Sequence, residues 1–92
     1  MSLLFEWDAS KARSNVRKHG ISFEEATTIF GDPRAITIES SVVSGEKRLV
    51  TIGRSATGRF VIVVVHTDRN DRIRIISARA ASRAERKQYE GR

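Results

Sequence analysis

The chain has 92 residues, 17 of them Lys or Arg and 11 Asp or Glu, which gives a formal charge of +6 at neutral pH. That length suits a single domain, residues 1–92, with one modest core. With no cysteine there is no disulfide framework, thiolate nucleophile or Cys-ligated zinc, and the longest apolar run, Val61 to Val65, is far too short to span a bilayer.

Leu3-Leu4-Phe5-Glu6-Trp7 reads as a short opening strand, followed by Asp8 as the N-cap of a helix to about Lys18. In that helix Ala9, Ala12, Val16 and His19 fall on one face and Lys11 and Lys18 on the opposite stripe, with Gly20 as the stop. Ser22-Phe23-Glu24-Glu25 matches a capping box in which Glu25 reaches back to Ser22. The helix it opens continues to about Phe30, burying Phe23, Ala26, Ile29 and Phe30, until Gly31-Asp32-Pro33 breaks it. From there the period becomes strand-like. Ala35 to Glu39 is a predicted strand and Ser40 to Glu46 a polar loop. Arg48 to Arg54, Arg59 to Asp68 and Arg72 to Ala78 are three further strands, joined by short turns into an antiparallel meander. Ser82-Arg83-Ala84-Glu85 is a second capping box, opening a terminal helix to about Glu90 with only Ala81 and Ala84 as its buried stripe. The predicted order is β-α-α-β-β-β-β-α, an α+β domain with helices packed on an antiparallel sheet.

The charge is one-sided. Residues 1–41 carry five basic against six acidic side chains, a net of −1, whereas residues 42–92 carry twelve against five, a net of +7. The excess is arginine: Arg48, Arg54, Arg59, Arg69, Arg72, Arg74, Arg79, Arg83, Arg86 and Arg92 outnumber Lys47 and Lys87 there. A guanidinium offers a planar bidentate fork to phosphate where lysine offers a point charge, so a polyanion partner is expected rather than a merely solubilising surface. RNA, DNA or an acidic protein would each satisfy it.

Several chemistries drop out. The glycines are scattered singly, without a Walker or dinucleotide pattern, and the two histidines lie far apart with no second ligand at i+3 or i+4. The acidic residues form no two-metal cluster, and no strand-turn-helix nucleophile elbow is present. What remains is a basic surface with a few general acid–base candidates. RNA cleavage by its own 2′-OH needs a base, cations for the phosphorane and an acid for the leaving oxygen, and His, Arg, Lys, Glu and Tyr supply all three without metal or cofactor. This permits a metal-free ribonuclease without singling one out.

Phe5-Glu6-Trp7-Asp8, Lys11-Ala12 with Asn15, Lys18-His19-Gly20 and Phe23-Glu24-Glu25-Ala26 closely resemble the BrnT toxin family. So do Ile52-Gly53-Arg54, Val63-Val64-Val65-His66-Thr67, Arg72-Ile73-Arg74-Ile75-Ile76-Ser77-Ala78-Arg79 and Glu85-Arg86 with Tyr89. The match runs in order over nearly the whole chain, and the Lys-His-Gly and Ile-Ser-Ala-Arg segments together are its most specific part. The resemblance implies a type II toxin of RelE-like fold, a ribonuclease that arrests translation. It also implies a BrnA-like ribbon-helix-helix antitoxin, with operator DNA contacted only through the complex. With no charged-then-apolar leader and no bilayer-spanning run in the sequence, a cytoplasmic address without membrane association is expected.

The candidate catalytic residues are Arg79, His66, His19, Arg54 and Arg83. Arg79 leads, since it follows Ile75-Ile76-Ser77-Ala78 and precedes a helix start, where a guanidinium can be held rigidly over phosphate; its alternative is an ion pair with acids of the first half. Arg54 closes another strand and is expected to converge with it. Arg83 opposes the dipole of the terminal helix, which suggests function over helix stability. His19 either transfers protons or satisfies free carbonyls at its helix end, and His66 is either catalytic or a packed, hydrogen-bonded neighbour of the core. Lys18, Arg74, Arg86, Lys87 and Tyr89 are the candidate RNA-binding residues, although packing is the commoner use of such a tyrosine. The competing readings are a non-catalytic nucleic-acid-binding module or repressor component, and a partner whose arginines dock an acidic protein.

Overall fold

A computed structural model describes residues 3–91; Met1, Ser2 and Arg92, the last counted in the basic excess, lie outside the described residues. Asp8 separates the first strand, β1 (Leu4–Glu6), from the first helix, α1 (Ala9–His19), by accepting the Lys11 N–H at 3.0 Å. Gly20 ends α1, donating its N–H to Val16 O at 2.8 Å. Ser22 caps α2 (Phe23–Thr27) through the Glu25 N–H. The expected capping box is only half made: the Glu25 carboxylate accepts from Thr57 Oγ1 instead, tying the helix to the loop beyond the third strand. The chain then tightens into a 3-10 turn, Thr28–Gly31, rather than continuing as α-helix to Phe30. That turn closes onto the sheet at Gly53, where a Cβ would come within 3.1 Å of Ile29 Cβ and 3.2 Å of Ala35 Cβ.

Four longer strands follow: β2 (Ile36–Val43), β3 (Glu46–Arg54), β4 (Val61–Arg69) and β5 (Arg72–Ala80), then α3 (Arg83–Glu90). The predicted polar loop at Ser40–Glu46 is mostly strand. A bulge between Glu39 and Ser41 absorbs the polar interruption, and Ser44 (φ 51°) with Gly45 (φ 81°) makes the two-residue turn that suits a right-twisted hairpin. The sheet order is β1-β5-β4-β3-β2, and it is mixed rather than antiparallel throughout, because β1 lies parallel to β5 with Phe5 opposite Ile73. Alternation reveals which residues share a face, but carries no information on strand direction.

One face of the sheet carries the main core, in which Ile62, Val64, Ile75 and Ala78 meet Ile21, Phe23, Ala26 and Ile29. The other face carries a smaller cluster of Ile52, Val61 and Val63 covered by Tyr89 of α3. The terminal helix therefore docks through its tyrosine; Ala84 is exposed and Ala81 only half-buried, contrary to the predicted stripe. The predicted apolar face of α1 is also displaced. Ala9, Val16 and His19 are exposed, and the side chain that α1 buries is Asn15.

Asn15 binds β5 as a strand would. Its Nδ2 donates to Ala78 O at 2.8 Å and to Ile21 O at 2.9 Å, while its Oδ1 accepts the Ala78 N–H at 3.1 Å. β1 pairs with β5 only as far as Arg74, so the Ala78 backbone groups sit on a stretch of edge that no strand covers. An orphaned buried group costs about 1–3 kcal/mol, and Asn15→Ala would orphan the N–H and C=O of Ala78 as well as Ile21 O. Asn15→Ala should lower stability by about 3 kcal/mol, read as the loss of unfolding free energy in urea; a loss below about 1 kcal/mol would show that water replaces the amide.

Candidate nucleic-acid interface and active site

The sheet register sorts the arginines. Strand neighbours alternate between faces, and the pairings Arg69 with Arg72, Thr67 with Arg74, Val63 with Arg79 and Val50 with Val65 define one common face. Arg48, two residues before Val50, lies on it too. Outside the area under α3, this face presents the guanidinium groups of Arg48, Arg69, Arg72, Arg74 and Arg79. Glu6, opposite Arg74, and Glu46, opposite Val43 on the neighbouring strand, supply carboxylates to the same face.

Four of these five cations are held, not loose, and Arg48 makes no ion pair among the described residues. Arg69 makes a bidentate pair with Glu46 (2.5 and 3.0 Å), and Arg74 donates to Glu6 at 3.2 Å with Arg72 4.0 Å from the same carboxylate. Arg79 grips Glu85 with both arms of its fork, at 2.7 and 2.9 Å. The partner of Arg79 is thus an acid of α3, not one from the first half. Its bonds, with those from Ser82, hold the Glu85 carboxyl down at about 2. Arg54 does not converge on Arg79. Its guanidinium lies 3.6 Å from Glu90 and 6.0 Å from the Tyr89 ring centroid, so the two arginines anchor different parts of α3. Sequence reasoning missed Arg48, Arg69 and Arg72; the i, i+2 spacing of Arg72 and Arg74 on a strand was the available signal.

At the β5 edge of this face lies a depression of about 170 Å³, lined by Lys11, Ser14, Asn15, Lys18 and His19 of α1 and by Ile76 and Ser77 of β5. Val65 pairs with Ser77 and His66 with Ile75, so Ile76 is the extra residue of a bulge. Ser77 lies between Arg74 and Arg79 along the arginine face. His19 is exposed, and its ring and the Lys18 ammonium make no hydrogen bond or ion pair among the described residues. The helix-end carbonyls are not what His19 serves.

His66 is placed very differently. It is 2% exposed, on the core face, with its ring edge-on to Phe30 at 5.0 Å. Nε2 is 2.8 Å from Thr51 Oγ1, which is 2.7 Å from Thr37 Oγ1, and Nδ1 is 3.3 Å from Asp68 Oδ1. Burial lowers its pKa although Asp68 opposes the shift, so its neutral form is favoured.

Tyr89 is also buried, at 4% exposure, and its hydroxyl donates to Asp32 Oδ2 at 2.5 Å. Asp32 also accepts the N–H groups of Arg54 at 2.8 Å and Arg34 at 2.9 Å. Burial works against the Asp32 carboxylate, yet these three donors outweigh it and lower its pKa. Arg83, Arg86 and Lys87 stand exposed on α3 with no ion pair among the described residues. Among the described residues no three His, Asp or Glu side chains gather as metal ligands, and no helix is long and apolar enough to cross a membrane.

An exposed histidine and lysine beside a face of guanidinium groups can attract a polyanion and offer it hydrogen-bond donors. A family model described as the ribonuclease toxin, BrnT, of type II toxin–antitoxin systems matches residues 7–85, and the chain belongs to that family. It is a ribonuclease toxin of a type II system, with RNA as substrate and an antitoxin as partner. No curated protein sequence matches it.

Stability should fall in two pH windows. His66 binds its proton less tightly folded than unfolded, so stability declines as pH drops below the ordinary 6.5. The depressed Glu85 contributes fully above its ordinary 4.5, and that contribution is lost as pH falls toward about 2. Melting temperatures should show both declines, with His66→Gln removing the first and Glu85→Gln reducing the second, which the lowered carboxyls of Asp8, Asp32 and Glu46 share. Tyr89→Phe should cost about 1.5–3 kcal/mol, the worth of a hydrogen bond to a charged group. It should leave cleavage at saturating RNA unchanged; a selective loss of RNA affinity in folded Tyr89→Phe would instead give this hydroxyl a role in binding.

Proposed function

We propose that the protein is a metal-independent endoribonuclease of RelE-like fold that cuts RNA in the cytoplasm by attack of the substrate's own 2′-OH. The observation that supports it most is that Lys18-His19 and Ile76-Ser77, from segments far apart in sequence, line one depression at the edge of the arginine face. His19, open to solvent at the end of α1, transfers the proton at the 2′ or 5′ oxygen. Lys18 and Lys11 hold the scissile phosphate, and Arg79, oriented by Glu85, keeps its Nε–H and one outer N–H for the developing phosphorane charge. Arg74 and its neighbours on the face track the flanking backbone, and Arg83, Arg86 and Lys87 extend the track along α3. His66 and Arg54 act through packing. The antitoxin is a BrnA-like ribbon-helix-helix protein, and operator DNA is bound through it.

Cleavage should persist in excess EDTA and leave a 2′,3′-cyclic phosphate, and a 2′-deoxy nucleotide at the cut position should abolish it. His19→Ala should slow cleavage by about two to four orders of magnitude, the range general acid–base catalysis contributes. His66→Gln should act mainly on stability. The assignment fails if folded His19→Ala cleaves saturating RNA at the wild-type rate.

A further inference from the structure

The strand β2 is the most exposed element of the sheet, and its composition is wrong for open solvent. It is last in the strand order, so the N–H and C=O groups turned away from β3 have no strand beyond them. Ile38, Val42 and Val43 on it are 55%, 67% and 42% exposed. Between β2 and α3 a cavity of about 290 Å³ is lined by Ile36, Ile38, Ile52 and Gln88. Ile36 and Ile38 pair with Ile52 and Val50, which puts the cavity on the arginine-bearing face.

Edges of this kind are usually blunted by lysine, proline or a covering element. Here the bulge between Glu39 and Ser41 interrupts the edge, but leaves Ile36–Glu39 in continuous register with β3. That stretch offers backbone partners on its edge and an apolar socket beside it, the two features an added strand needs. Charge indicates what else the partner carries. Five guanidinium groups on the same face, Arg48, Arg69, Arg72, Arg74 and Arg79, stand against the three carboxylates of Glu6, Glu46 and Glu85. A segment passing from the socket across this face meets a net positive surface.

We propose that the antitoxin neutralises this protein with an extended segment that adds to β2 along Ile36–Glu39, seats an aliphatic side chain in the Ile36–Ile38–Ile52–Gln88 socket, and carries acidic residues over the arginine face. Neutralisation then follows from occupation: the strand fixes the segment, and its acids cover the surface that the RNA backbone requires. The part concerning RNA exclusion rests on the proposed ribonuclease site, whereas the docking itself does not.

The experiment compares the free chain with its complex with the cognate antitoxin. Amide hydrogen exchange at Ile36–Glu39 should slow by about tenfold or more on complex formation, as for newly paired strand amides. Ile38→Arg, at an exposed position outside the proposed RNA site, should melt as the wild type and keep its RNA cleavage. It should need at least about tenfold more antitoxin for inhibition, the loss expected when a central anchor is removed. Val42→Lys, beyond the bulge, should be inhibited as the wild type is. Unchanged β2 exchange together with normal inhibition of Ile38→Arg would overturn the docking site. Concentration-dependent β2 protection in the free chain would assign the edge to a second copy of this protein, and protection by RNA alone would assign it to substrate; either outcome overturns the proposal. If the wild type cleaves no RNA while β2 still gains protection from the antitoxin, the ribonuclease reading fails and the docking stands.

Discussion

Everything in the candidate site depends on one carboxamide. A primary amide presents an acceptor and two donors in a plane, the same functions a strand presents to its neighbour, and Asn15 spends them on Ala78 N–H, Ala78 O and Ile21 O. It thereby closes the stretch of β5 edge that β1 is too short to cover. The same three bonds set the position of α1 relative to the bulge at Ile76, and so decide where Lys18 and His19 stand. Aspartate would keep the acceptor and lose both donors, and an aliphatic residue would lose all three.

The two faces of the sheet do different work for a reason of helix placement. α1, α2 and the 3-10 turn cover one face and bury the larger core there, while α3, only eight residues long, covers part of the other. The remainder of that second face is left for charge. Guanidinium groups side by side repel one another and move freely in water, yet Glu6, Glu46 and Glu85 brace Arg69, Arg72, Arg74 and Arg79. Exposed pairs of this kind add little to stability. Their effect is orientation: each bonded arm fixes the plane of the arms that remain.

The two histidines divide along the same line. His66 sits in the core between Thr51 and Asp68, where desolvation favours the neutral ring and every polar atom is matched. His19 lies at the end of α1, solvated and without a partner among the described residues. A proton-transfer group needs access to the reacting oxygen before its pKa matters. Exposure therefore separates the two where residue type does not.

Much of the architecture was legible from local chemistry alone. Asp8, Ser22 and Ser82 start the three helices as their side chains require, and the Val- and Ile-rich runs form β3, β4 and β5. The arginine excess points to a polyanion, and the Lys-His-Gly and Ile-Ser-Ala-Arg segments together point to a family. Tertiary structure decided what depends on partners distant in sequence. Strand direction made β1 parallel to β5, because alternation carries no polarity. Burial put Asn15, not Val16, beneath α1, since three backbone partners outweigh the hydropathy of one side chain. Register gathered Arg48, Arg69 and Arg72 with Arg74 and Arg79, and packing placed Tyr89 on Asp32 and His66 in the core. Helix caps and strand runs act within a few residues and are written locally; which cation faces which carboxylate is fixed only when strands far apart in the chain lie side by side.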